Sequence, residues 1–400
     1  MVYAQRRAAW PQEHGDMSEN SKPLVGKGLA VGVSDPPAHT SSPSSGSGVQ
    51  LVCITRSQPT VAVGLFLETG IAAGTAQAWW LHLCEHLLFS HGFEDSAALL
   101  QARRWGGRLN AAVLPPWLLL AGEVPHGHGR LLAERLGRIV ADSLGSVSWQ
   151  QCHLAREWAL VQAEMGASCP SSCPQVEELQ EWWVQQVATA RLSVLTCGDL
   201  KPEDLQQAVA CLAPSSAARF VGGRVPLTMP MGGAAVRWWW PAIGGPQALN
   251  GWRLVLRWLG SDWTGSLVQV LRQHALAYEA HVTLQGYGAT QTVVLQVEPL
   301  QGHTHAVIAA VHEVMAACCR QGPTPGLLAA LQAGLTAQRQ LGEAHPMEHL
   351  EWLAQEVLGW PDGSMPEIPP AATWDGLALS ALLQQTWGQG MAVLCHDTRR

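Results

Sequence analysis

Ala76-Gln77-Ala78-Trp79-Trp80-Leu81-His82-Leu83-Cys84-Glu85-His86-Leu87-Leu88-Phe89 is the stretch on which fold and chemistry turn. Its apolar residues recur at helical spacing and Gly92 lies just past its end, which predicts a helix over 76–89. His82 and His86 stand four apart, so their imidazoles share one helix face and can reach one metal ion. Glu85, three after His82 and next to His86, points its carboxylate near that face. It need not bind the metal. It is placed to hold a water there and take its proton, as a general base does. A catalytic zinc needs three protein ligands and one open position, so a third ligand must come from elsewhere. Two downstream carboxylates fit, Glu157 and Glu164, seven apart and therefore two turns along one helix face.

Residues 1–48 are rich in Ser, Pro and Gly, a composition that cannot bury enough surface to order itself, and are expected to form a disordered tail. Order is expected from Val49. Residues 49–55 and 61–69 read as adjacent strands joined at Ser57-Gln58-Pro59. After the 76–89 helix, 96–105 reads as a second helix stopped by Gly106-Gly107, and 108–114 and 117–124 read as strands. Helices follow at 129–144, 149–165 and 176–188, then a strand at 192–197 and a closing helix at 201–212. Together these make an α+β domain over 49–213. Residues 214–248, rich in Pro and Gly and containing Trp238-Trp239-Trp240-Pro241, read as a linker. The order of elements then repeats over 249–400. It runs as a strand at 252–258, a helix at 265–276, strands at 279–284 and 291–297, helices at 305–320 and 327–341, and a strand at 391–396. The second domain reads as a degenerate copy of the first, which argues for duplication.

Composition narrows the function classes. A hydrophobic fraction of 47% with 14% charged residues supports ordinary globular cores. A net charge of −7 with no Arg cluster gives no footprint for nucleic acid. The ten Cys are scattered without a repeating frame and read as small buried hydrophobes, Cys84 among them. The residues after Arg6-Arg7 are too polar for a signal peptide, and no run reaches the ~20 apolar residues that span a bilayer. A soluble, cytoplasmic protein is the expectation.

The motif residues resemble the insulinase/pitrilysin family of metallopeptidases, the inverzincins, whose helix carries H-x-x-E-H in place of the commoner H-E-x-x-H. That family's third ligand is a Glu at a like distance downstream, here 164 − 86 = 78 residues, with another Glu seven residues before it. The resemblance implies zinc held by His82, His86 and Glu164, with Glu85 as catalytic base and Glu157 as a carboxylate supporting the ligands. Gly106-Gly107-Arg108-Leu109-Asn110-Ala111 is similar to the family's Gly-Gly-x-x-Asn-Ala segment, which opens an edge strand that pairs with bound peptide. It implies that Asn110 and Ala111 bind substrate backbone. Pro115-Pro116 then interrupts the family pattern, so the substrate strand is expected to be short or altered. Leu271-Arg272-Gln273-His274-Ala275-Leu276-Ala277-Tyr278 resembles a segment whose Arg and Tyr reach from a non-catalytic domain to hold substrate and the tetrahedral intermediate. Arg272 and Tyr278 inherit those roles, although they are six apart where the family has seven.

The fold so implied is α+β: two homologous insulinase-type (LuxS/MPP-like) α/β sandwich domains forming half of a clamshell. The other half must then come from a second insulinase-type subunit, as a homodimer or a heterodimer. The expected function is zinc-dependent cleavage of small unstructured peptides. The run 82–89 with 101–111 looks closest to PqqF-type proteases, which process the peptide precursor of pyrroloquinoline quinone. A different class also fits: a catalytically weak or inactive partner subunit. The survival of His82, Glu85, His86 and Glu164 together favours the active chain.

Overall fold

The computed structural model describes residues 40–42, 49–71, 75–90, 102–144, 149, 151–165, 172–212, 235–260, 265–360, 367–388 and 391–395. The expected tail falls largely outside them, as do most of the expected 96–105 helix and most of the expected 214–248 linker. A short strand, β1 (Thr40–Ser42), nonetheless pairs with β2 (Val49–Thr55), whose outer edge offers open backbone groups.

The first sheet comprises β1, β2, β3 (Thr60–Glu68), β4 (Arg108–Leu114), β5 (Trp117–Pro125) and β6 (Arg191–Gly198), in the order β1-β2-β6-β3-β5-β4. Both faces of β3 are covered, which is why Thr-Val-Ala-Val-Gly-Leu-Phe-Leu-Glu runs apolar instead of alternating with polar residues. Val61, Val63, Leu65 and Leu67 enter one core and Ala62 and Phe66 enter another, as the two-residue period of a strand requires. The first core is closed by α1 (Ala76–Ser90), α2 (Gly129–Ser143), α3 (Gln151–Met165), α4 (Val176–Thr189) and α5 (Pro202–Ala208).

The second half departs from expectation at Ala235–Pro241 and Leu249–Gly260, and it adds helices at Pro346–Val357 and Gly376–Trp387 beyond those expected. Trp238-Trp239-Trp240-Pro241, expected in the linker, ends strand β7 (Ala235–Pro241). Trp238 and Trp240 fill the second core, so the cluster is strand packing rather than a tether. Residues 252–258, expected as a strand, lie inside helix α6 (Leu249–Gly260). Trp252-Arg253-Leu254-Val255-Leu256-Arg257-Trp258 is a short run rich in aromatic and aliphatic residues, which reads as a strand. The polar residues reveal the helix: Asn250, Arg253 and Arg257 recur at i, i+3 and i+7. The half continues with α7 (Ser266–Gln273), β8 (Ala277–Gln285), β9 (Thr292–Pro299), α8 (Thr304–Gln321), α9 (Pro325–Glu343), α10 (Pro346–Val357), α11 (Gly376–Trp387) and β10 (Met391–Cys395). Its sheet runs β10-β7-β9-β8, all antiparallel. This matches β6-β3-β5-β4 strand for strand, with the same antiparallel pairings. The repeat is in the topology, with β7 opening the second copy. Among the described residues no helix is long and apolar enough to cross a membrane.

Helix α10 comes late in the chain but packs on the first sheet. Met347, Leu350, Leu353, Ala354 and Val357 join Phe66, Trp117, Leu119 and Leu195 in one core on the face opposite α1. Ion pairs run alongside: Arg56 binds Glu343, Arg339 reaches both Glu343 and Glu356, and Glu356 binds Arg253. His349, on α10, is buried beside these charges, and its Nδ1 makes no hydrogen bond among the described residues. Burial, with Arg56 adding to it, pushes the imidazole down to about 4 from an ordinary 6.5. Between those values the unfolded chain binds a proton that the folded chain refuses. Stability is therefore full above the unfolded value and is lost as pH falls toward the folded one. The expected loss is about 2–3 kcal/mol at His349. Denaturant titrations of wild type and His349→Phe at pH 7 and 4.5 check this; the variant must lose less stability on acidification, and equal losses would refute the assignment.

Candidate metal centre

Helix α1 follows β3 and is started by Thr75, whose hydroxyl accepts the Ala78 amide at 3.3 Å. Thr75 is absent from the residues singled out by sequence, although a Thr just before a helical apolar run is a readable start signal. Leu81, Leu83, Cys84, Leu87 and Leu88 turn into the first core. The remaining face carries His82, Glu85 and His86, whose side chains keep 15–16% of their surface exposed. Cys84 is fully buried and desolvation holds its thiol well above the ordinary range, so it is a packing residue.

One ligand atom from each of His82, Glu85 and His86 lies within 4.8 Å of the others, the geometry a single cation requires. The His rings are 4.9 Å apart and tilted by 56°. His86 Nδ1 stands 3.2 Å from Glu157 Oε2, and His82 Nδ1 stands 3.3 Å from Glu85 Oε2. A carboxylate only accepts, so the His86–Glu157 hydrogen bond forms in the tautomer with the hydrogen on His86 Nδ1, which leaves the Nε2 lone pair for a metal. Glu157 comes from α3, whose Leu154, Trp158 and Val161 anchor it in the same core as α1. The carboxylate is buried, and its other oxygen faces Arg156 at 4.0 Å. Glu164 lies two turns further along α3, and its side chain falls outside the described residues. The His126–His128 and His303–His305 pairs form no such converging group among the described residues.

The donor set suits zinc: two imidazoles one helical turn apart and a nearby carboxylate. Beside α1 runs β4, the last strand of the first sheet, paired with β5 alone among the described residues. Asn110 on it is exposed and Ala111 half-buried. Gly107 packs flush against the backbone of Glu123 and Val124, where any side chain would clash, which explains the Gly at the entry to this strand. Pro115-Pro116 does not shorten the strand. The two prolines form the turn of the hairpin, and β4 pairs with β5 from Arg108 to Leu114.

Arg272 lies in the last turn of α7 and Tyr278 is the second residue of β8. An irregularity of one extra residue lies between Ala277 and Ala280 relative to β9. Ala280, Val282 and Leu284 face the core, so an unbroken strand would send Tyr278 inward with them. The bulge turns it out instead: Tyr278 is 57% exposed. The Arg272 guanidinium lies 4.8 Å from the centre of its ring, so the pair meets despite the six-residue spacing.

No protein-family model matches the sequence, and no curated protein matches it. Solved structures do. A protease from Helicobacter pylori is similar with a TM-score of 0.67 and 12% identity, over 90% of this chain and 99% of that one. A peptidase M16 inactive domain from Pseudomonas fluorescens aligns with a TM-score of 0.64 and 14% identity, over 90% and 97%. The chain has the M16 peptidase fold. Pitrilysin matches it with a TM-score of 0.55 and 12% identity, but the match spans only 44% of pitrilysin against 88% of this chain. The M16 fold agrees with the α+β clamshell-half expectation, and the identities carry the likeness no further than fold.

Proposed function

We propose that this chain is a zinc-dependent endopeptidase acting on small unstructured peptides. The observation that carries the reading is the convergence of His82, Glu85 and His86, with His86 fixed by buried Glu157. His82, His86 and Glu164 would hold the zinc, which when bound supplies a Lewis acid for water and the scissile carbonyl. Glu85 takes the proton of the attacking water and passes it to the leaving amine. Glu157 keeps His86 in its ligating tautomer. The β4 edge offers backbone hydrogen bonds to an extended peptide, with Asn110 and Ala111 alongside it. Arg272 and Tyr278, with the guanidinium 4.8 Å from the ring centre, present a cation and a phenol to the substrate carbonyl. The pyrroloquinoline quinone precursor is the natural first substrate to test, on the motif resemblance alone.

The match to about half of pitrilysin supports a second subunit completing the chamber. The likeness to a protein described as an inactive domain supports a second reading, a partner subunit without catalysis of its own. One set of measurements separates them. Purified protein should contain one zinc per chain and cleave a quenched fluorescent peptide, lose cleavage with a chelator, and recover it with added zinc. Light scattering should give a dimer. Zinc-free protein, or zinc-loaded protein inert toward a peptide panel, overturns the endopeptidase reading.

A further inference from the structure

The turn between β8 and β9 reaches across to the first sheet. Tyr287 at its tip is buried, with its ring edge-on to Phe66 of β3 at 5.5 Å and to Trp117 of β5 at 5.3 Å. The turn is held in this pose. Gly288 has a positive φ of 55° and lies directly against Gly359, where a side chain would clash. The Ala289 amide donates to the Gly359 carbonyl at 3.3 Å, and the Thr290 hydroxyl donates to the Tyr287 carbonyl at 2.7 Å. Leu350, Leu353 and Leu358 close the same core.

The two strands that Tyr287 touches are those from which the candidate site is built. Beyond Phe66, β3 ends at Glu68 and α1 begins at Ala76, carrying His82, Glu85 and His86. Trp117 opens β5 directly after the Pro115-Pro116 turn, whose other arm is β4 with Asn110. Glu68 and Trp117 are themselves register partners. On the other side, Tyr287 lies two residues past the end of β8, the strand that bears Tyr278. A close-packed interior transmits displacement rather than absorbing it.

We propose that Tyr287 is a positioning residue for peptide cleavage. Its ring seats the second sheet, and with it the β8 edge, on the two strand ends from which α1 and β4 set out. This rests on the zinc endopeptidase reading for its catalytic part only. Tyr287 lies in the core on the sheet face opposite α1 and acts through Phe66 and Trp117.

The test uses the full chain with Tyr287→Phe, which keeps the ring, and Tyr287→Leu, which keeps apolar bulk but loses the edge-on fit. Zinc content, kcat and KM on a quenched peptide, and amide hydrogen exchange over 108–114 are read for each. Tyr287→Leu should keep one zinc, lose about 10- to 100-fold in kcat/KM chiefly through KM, and exchange faster in β4. Tyr287→Phe should match wild type in all three. A role confined to stability would lower the unfolding midpoint of Tyr287→Leu and leave KM and β4 exchange unmoved, and that outcome overturns the proposal. So does a Phe variant as impaired as Leu. If wild type cleaves nothing, the endopeptidase reading fails, and the exchange measurement still decides whether Tyr287 positions β4.

Discussion

Glu85→Gln will retain zinc at one equivalent per chain and cleave a quenched fluorescent peptide about 10²- to 10⁴-fold more slowly than wild type. The amide is nearly isosteric with the carboxylate and still offers an oxygen to His82 Nδ1, which stands 3.3 Å from Glu85 Oε2. Helix α1 should therefore be undisturbed, since its core side is made by Leu81, Leu83, Cys84, Leu87 and Leu88. What the substitution removes is the ability to accept a proton. Two other outcomes are informative. Equal cleavage by both proteins would reject Glu85 as the base and point to a contaminating peptidase. Loss of zinc together with activity would make Glu85 a ligand, an outcome its position within 4.8 Å of both His side chains makes worth excluding. Metal analysis and kinetics on the same preparation separate the cases.

The convergence of His82, Glu85 and His86 was legible in sequence because it is written locally. A four-residue His spacing on a helix survives any tertiary arrangement, and the seven-residue Glu spacing survives in the same way. The fold of the first half was legible for a related reason: its strands are bounded by Gly and Pro. The second half hid four elements: α6, β7, α10 and α11. Helix α6 reads as a strand because Trp252-Arg253-Leu254-Val255-Leu256-Arg257-Trp258 is a short run rich in aromatic and aliphatic residues, although Asn250, Arg253 and Arg257 keep a helical spacing. Strand β7 is buried on both faces, so Arg237-Trp238-Trp239-Trp240 showed no alternation. The placement of Tyr278 depends on a β-bulge, and that of Tyr287 on a contact with strands more than 160 positions earlier in the chain. Neither is encoded at short range. The same holds for α10, whose apolar face matches the first sheet although its place in the chain assigns it to the second half.

That helix is also where the second large effect is expected. Glu356→Ala will destabilise the protein by about 3–5 kcal/mol, because it strands a buried cation. Arg253 is buried in α6, and desolvation alone lowers its affinity for the proton; Glu356 is the group that opposes this. The pair is joined at 2.9 Å, and the guanidinium also meets Asn250 at 3.1 Å, Gln355 at 3.2 Å and the Trp352 ring at 3.9 Å. Those neutral partners remain after the substitution but do not neutralise the charge. The ion pair itself adds little net stability, since two desolvated ions offset their own attraction. The decisive measurement is therefore a double-mutant cycle by denaturant unfolding. Arg253→Met with Glu356→Leu should recover most of the loss, because it replaces both charges with apolar groups of similar size. If the single changes simply add, the pair is not coupled and the cost arises elsewhere in α10. Recovery would assign the cost of Glu356→Ala to the stranded Arg253 charge at the junction of α6 and α10. Helix α10 packs in the same core as Tyr287, so Glu356→Ala should also speed amide exchange in β4, and the double variant should restore its protection.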